Sequence, residues 1–223
     1  MICVDYELCQ TGTQQAPIPL RLDQGLSSQH TPYFDYPDAV DGVFQNWGYG
    51  PAFTLDHPQG EYTGLPQLRF EEDGENVTSY LASWHIHAPA DHSVQEDRSK
   101  AELHYVHADA DGNYRAVIAI RVDPGNADSP FFEQLPQMIS FNNTNAETPT
   151  QLNLNLALEE VGRFNEFWTY RGSLTSPPCT EGVRWFVARQ ILFVSDREMQ
   201  DILRVSTYSA RAEQEVWRHD INV

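Results

Sequence analysis

Ser83-Trp84-His85-Ile86-His87-Ala88-Pro89-Ala90-Asp91-His92, followed by Ala101-Glu102-Leu103-His104-Tyr105-Val106-His107, are the two stretches that decide this fold. Five of the eight histidines lie between His85 and His107. Both stretches read as β-strands, in which alternate side chains leave opposite faces. In Tyr80–His87 the alternation puts residues 81, 83, 85 and 87 on one face, with Trp84 and Ile86 on the other. The second face is apolar, so the histidine face must look into a cavity. In Ala101–His107, Glu102, His104 and Val106 share a face, opposite Leu103, Tyr105 and His107. Imidazoles converging from two adjacent strands make a three-nitrogen site that suits one divalent zinc ion with a vacant position. Glu102, two residues before His104, is placed to accept that ring's other N–H and fix its tautomer.

The remainder of the 223-residue chain frames that site. Its length allows one large domain with a substantial core. A net charge of −18 excludes nucleic acid as a partner and disfavours anionic membranes. No apolar run approaches the roughly 20 residues that span a bilayer. Met1-Ile2-Cys3 runs at once into Asp5 and Glu7, without the pattern of a signal peptide. Cys3, Cys9 and Cys179 lack CxxC spacing, so free buried thiols and a Cys9–Cys179 disulfide both stay open. Asn76 and Asn142 begin Asn-x-Thr sequons and would accept glycan only in a secretory pathway.

The first forty residues carry proline and turn chemistry with little helical period. From residue 43 onward short strand runs follow, among them Gln67–Phe70, Tyr80–His87, Ala101–His107 and Arg115–Val122. Asp73-Gly74 and Asp111-Gly112 read as hairpin turns between them. Helix signals cover Phe131–Ser140, Asn155–Val161 and Arg197–Leu203, the last capped by Ser195-Asp196. The expectation is a mainly β protein (α+β), largely antiparallel, with short peripheral helices. Tyr170–Glu181 (YRGSLTSPPCTE) adds a loop stiffened by Pro177 and Pro178, and its hydroxyls Thr175 and Ser176 suit orienting a metal-bound water.

Together these motifs resemble the α-class carbonic anhydrases, in their shorter bacterial and fungal, secreted form. The family carries HxH-TPSEH, AELHxVH and GSLTTPPCxExVxW. This chain has His85–His92, Ala101–His107 and Gly172–Trp185 in that order. Gln15-Ala16-Pro17-Ile18 resembles the family's QSPI, and Arg211-Ala212-Glu213-Gln214 weakly resembles its RPxQ. The resemblance implies a single domain over residues 1–223, built on a large twisted sheet with the zinc site at the bottom of a cleft. It implies reversible hydration of carbon dioxide to bicarbonate, with one zinc per chain on His85, His87 and His104. Thr175 would accept a hydrogen bond from the zinc-bound hydroxide and pass its own to Asp91. Val106, Val117, Leu174, Val183 and Trp185, beside Ser176, would wall the carbon dioxide pocket. Sulfonamides and anions are the inhibitors expected at the zinc.

In secreted relatives the SPPC cysteine pairs with one near the N-terminus. That favours Cys9–Cys179 and leaves Cys3 either as a free thiol or as a bond to a second subunit in a homodimer. Four departures accompany the resemblance. Tyr49, in Asn46-Trp47-Gly48-Tyr49, stands where fast members keep a proton-shuttling histidine. A phenol with pKa near 10 relays protons poorly at neutral pH, so slower, buffer-dependent turnover is expected. His57 reads as a surface histidine after a strand. Asp91 replaces a glutamate and is one methylene shorter. Ser83 replaces a glutamine that normally holds the first histidine. The family's N-terminal segment is expected to be shortened. Two other readings compete. A silent binding domain of the same fold would normally have lost a zinc histidine, and all three are present. A cupin-type iron or manganese oxygenase, from His85-x-His87-x3-Asp91, leaves Glu102, His104 and the SLTSPPC loop without roles.

Overall fold

The computed structural model describes residues 6–223. Cys3, and with it the intersubunit bond proposed for it, lies outside the described residues. Among the described residues there are thirteen strands. They are β1 (Tyr33–Asp35), β2 (Val40–Asn46), β3 (Pro51–Leu55), β4 (Gln67–Glu72), β5 (Glu75–His87), β6 (Ser93–Val94), β7 (Asp97–Arg98), β8 (Ala101–Ala108), β9 (Tyr114–Gly125), β10 (Thr148–Leu152), β11 (Phe167–Ser173), β12 (Glu181–Ala188) and β13 (Leu192–Ser195). Four short helices accompany them: α1 (Glu7–Thr11), α2 (Pro130–Glu133), α3 (Asn155–Glu160) and α4 (Asp196–Arg204).

One eleven-stranded sheet holds nearly everything, in the order β10-β2-β3-β5-β8-β9-β12-β11, with β4 joined to β5, β1 to β4 and β13 to β9. Pairing is antiparallel except where β12 and β13 run parallel to β9. The β5 and β8 strands sit in the middle, and every residue of β8 is buried. Strand alternation therefore sorts side chains between two cores. Trp84, Ile86, Leu103, Tyr105, Ile118 and Ile120 join one face, which α2 and α3 cover with Phe131 and Leu158. Val106, Val117, Ala119, Trp168, Trp185 and Val187 join the other, with Ile18 and Leu20 of the N-terminal segment.

The hairpins form where turn chemistry places them. Asp73 and Gly74 both adopt positive φ (54° and 80°) between β4 and β5. Asp109 caps the Asp111-Gly112 turn by accepting from the backbone N–H groups of Asp111 and Asn113. Ser195 and Glu198 cap α4 reciprocally, a capping box.

The structure corrects four expectations. Leu81 does not share the histidine face. The register shifts between Leu81 and Ser83, a bulge that turns Leu81 into the core beside Trp84. The helix expected over Phe131–Ser140 is a single turn, because Pro136 has no N–H to continue it and restrains Leu135. The first forty residues hold α1 and the strand β1, elements too short to leave a periodic signal. The strand region accordingly starts at Tyr33, not residue 43. Among the described residues no helix is long and apolar enough to cross a membrane.

Candidate metal centre

His85 and His87 leave the same face of β5, and the ladder sets His85 opposite His104 of β8. The register leaves them no other direction, since Trp84 and Ile86 occupy the opposite face. The Nε2 atoms of His85 and His87 stand 3.1 Å apart. One ring nitrogen from each of His85, His87 and His104 falls in a group whose members all lie within 4.8 Å of one another. The rings cross at 4.9–5.2 Å between centroids. All three are buried, His85 at 8% exposure and the other two at 1%. Burial pushes the His85 imidazole well below its usual range, with help from His87 and His104, and lowers His87 too. Both rings are thereby held neutral, the form in which imidazole binds a metal.

The outward nitrogens show how each ring is aimed. His104 Nε2 donates to Glu102 Oε1 at 2.7 Å, which leaves Nδ1 for the centre. Glu102 Oε1 also accepts from His92 Nδ1 at 2.6 Å, and Oε2 accepts the His92 backbone N–H at 2.9 Å. Tyr170 donates to the other His92 nitrogen at 2.7 Å. Burial alone would raise the Glu102 carboxyl. The His92 imidazole and the hydrogen bonds from both rings outweigh that and hold it well below the usual carboxylate range. His92, Glu102 and His104 also cluster closely enough to hold an ion. Their polar atoms already satisfy one another, whereas the inner Nε2 atoms of His85 and His87 meet only each other at 3.1 Å and, at 3.6 Å from His87, the Asp91 Oδ2. The donor set that fits a shared cation is therefore the trio, and three imidazole nitrogens suit zinc.

The remaining expected residues gather around it. Val106, Val117, Leu174, Val183 and Trp185 belong to one buried cluster, and Trp185 packs 5.0 Å from His104. Thr175 (8% exposed) and Ser176 follow Leu174 at the end of β11. A Cys9–Cys179 disulfide joins α1 to that loop. Arg211 Nη2 donates to Cys9 O at 3.0 Å, and Gln15 Nε2 donates to Cys179 O at 3.1 Å. Tyr49 stacks face-on over His87, centroids 5.3 Å apart. Burial, and then Asp91, drive its phenol above the ordinary value. His57 packs on Tyr62, outside the trio's ring contacts. Asn76 and Asn142 are both exposed. A cavity of about 790 Å³ lined by Asp35, Val40, Asp41 and Pro149 lies elsewhere and includes none of these site residues.

Two departures have visible consequences. Asp91 Oδ1 accepts the Arg211 backbone N–H at 2.7 Å, but Oδ2 is buried without a hydrogen-bond partner. No hydrogen bond joins Thr175 to Asp91, as expected for a side chain one methylene short. His85 Nδ1 is also buried without a partner, since Ser83 is too short to serve it. Sequence reasoning gave no role to His92, Tyr170, Ser209 or Trp47. His92 carried a signal, standing next to Asp91 in the first motif. The others come from distant segments joined only by folding.

The model of the eukaryotic-type carbonic anhydrase family matches residues 3–221. A carbonic anhydrase of Pectobacterium carotovorum is 28% identical over 187 residues, covering 82% of this chain and 68% of that protein. Dioscorin dioA3 of Dioscorea japonica is 30% identical over 208 residues, covering 87% and 68%. The α-carbonic anhydrase of Thermovibrio ammonificans, solved with the inhibitor sulfanilamide, superposes with a TM-score of 0.79 at 22% identity over 97% of this chain and 90% of that one. With a sheet of that shape, three histidines converging on β5 and β8, and a family match from end to end, the chain belongs to the eukaryotic-type, α-class carbonic anhydrase family.

Proposed function

We propose that this chain hydrates carbon dioxide reversibly to bicarbonate and a proton, with one zinc held by His85, His87 and His104. The observation that carries the reading is the convergence of three buried ring nitrogens beside a buried apolar wall. Bound zinc would supply Lewis acidity that brings the pKa of a water to about 7, carbonic anhydrase being the standard case of that effect. The chain's own residues do the rest. Glu102 fixes the His104 tautomer. Val106, Val117, Leu174, Val183 and Trp185 exclude water where a linear, uncharged substrate must sit. Thr175 orients the nucleophile, and Asp91 Oδ2 is the free acceptor for its hydroxyl proton. The hydroxyl reaches that acceptor through a water or a small loop shift. Tyr49, its phenol pushed up by burial, does not carry the product proton at neutral pH, and buffer must take it.

Sulfonamides and small anions are the ligands expected to compete at the same centre. A disulfide fits an oxidising, extracellular compartment, and the exposed Asn76 and Asn142 would be glycosylated there. The missing Thr175–Asp91 bond favours one rival reading, a weakly active or silent binding domain. Stopped-flow carbon dioxide hydration separates the two. The proposal expects activity that disappears on chelation, returns with zinc, falls with an aromatic sulfonamide and climbs with buffer concentration. Full zinc occupancy without hydration above background would favour the binding domain, and turnover independent of buffer would refute the Tyr49 reading.

A further inference from the structure

The three candidate ligands are held in three different ways. His104 has Glu102, and His87 Nδ1 has the carbonyl and hydroxyl oxygens of Ser209, each at 3.2 Å. His85 Nδ1 has no hydrogen-bond partner. What touches the His85 ring instead is the Trp47 indole, 5.1 Å away and tilted by 32°. Tyr49 meets the same ring edge-on at 6.0 Å and braces Trp47 at 6.3 Å. These separations fall in the range where aromatic rings pack favourably.

The loop carrying this pair is anchored. Buried Asn46 donates to the carbonyls of Ile139 and Val205 and accepts the Gly48 N–H. Trp47 N donates to Gly50 O, and Tyr49 O accepts from Thr207 N. Gly48 takes φ 85°, which a side chain would resist. A Cβ on Gly50 would stand 2.2 Å from the carbonyl oxygen of Ile86, the residue between the two histidines. The loop therefore presses against β5 at the point from which both rings emerge.

We propose that Trp47 is the positioning residue for His85, fixing by ring packing the ligand that no hydrogen bond fixes. Tyr49 does the same for His87, as a supplement to Ser209. The inference rests on the zinc reading above.

The test measures zinc affinity by chelator competition and the visible spectrum of the cobalt(II)-substituted protein. Trp47→Ala is expected to bind zinc about 10- to 100-fold more weakly, the usual loss when a ligand's support is removed. Its cobalt spectrum should also change. Trp47→Phe, which keeps a flat ring, should stay near wild type. Adding Ser83→Gln to Trp47→Ala should recover affinity by giving His85 Nδ1 an amide oxygen. Should Trp47→Ala not fold, Trp47→Leu, which keeps bulk without a flat face, is judged by the same criteria. Unchanged affinity and spectrum would overturn the inference alone, whereas a wild type that takes up no zinc would overturn it together with the zinc reading.

Discussion

The two faces of β5 and β8 belong to the same strands and are equally buried, yet they obey different rules. On one face Trp84, Ile86, Leu103 and Tyr105 are fully enclosed, and nearly all that is asked of them is shape. On the other, His85, His87, Glu102 and His104 are enclosed as well, and every polar atom needs a partner. Most have one, through Glu102, His92, Tyr170 and Ser209. Of the atoms on that face without one, His85 Nδ1 and Asp91 Oδ2 lie beside the proposed reaction centre. The apolar face has orphans too, Trp84 Nε1 and His107 Nδ1, and neither faces the histidine trio. The contrast teaches that damage to the first face should appear as lost stability, and damage to the second as lost metal.

The largest expected effect breaks the apolar face. Trp84→Ala should cost about 3–5 kcal/mol of unfolding free energy by opening a cavity. Below its melting point the variant should still take up one zinc per chain. Loss of zinc with the fold intact would erase the distinction between the faces. Glu102→Ala breaks the polar face and strands two imidazole N–H groups. Zinc affinity in a chelator competition should drop about 10- to 100-fold. An unaltered dissociation constant would mean that the His104 tautomer needs no support.

The smallest effect concerns His107, a titratable group on the apolar side. Burial lowers its pKa to about 3, and neutral Nε2 accepts from Tyr36 at 2.5 Å. An unfolded histidine titrates near 6.5, so below that pH the unfolded chain binds a proton that the native one refuses. Stability from this group is complete above about 6.5 and is lost as pH falls toward about 3. Between pH 6.5 and 5 the loss comes to about 1.6 kcal/mol, the slope approaching 1.36 kcal/mol per unit once the unfolded imidazole is fully protonated. His107→Gln should remove that part of the acid dependence in urea unfolding at the two pH values. Identical slopes in wild type and variant would contradict it.

Much of this was legible in the chain. The HxH and AELHxVH runs carry both the strand period and the proposed ligand set. Asp73-Gly74 marks its hairpin, and Ser195 with Glu198 marks the start of α4. The bulge at residue 82 was not legible, because a one-residue register change leaves no compositional trace and yet moves Leu81 to the other face. The helix after Ser129 was overread, since the apolar residues beyond Pro136 suggested a period that a missing N–H does not permit. The contacts of Ser209, Arg211 and Trp47 depend on tertiary pairing across long stretches of chain. The glutamine-to-serine change at Ser83 showed where a hydrogen bond would be missing, but not that an indole lies over the ring in its place.

The proposed function turns on one zinc among three imidazoles on the polar face of β5 and β8. Anomalous diffraction at the zinc edge, from crystals of the zinc-loaded protein, tests it most directly. A single peak per chain is expected, bonded to His85 Nε2, His87 Nε2 and His104 Nδ1, with no protein carboxylate attached. A peak between His92 and Glu102, or one bonded to an Asp91 oxygen, would contradict it.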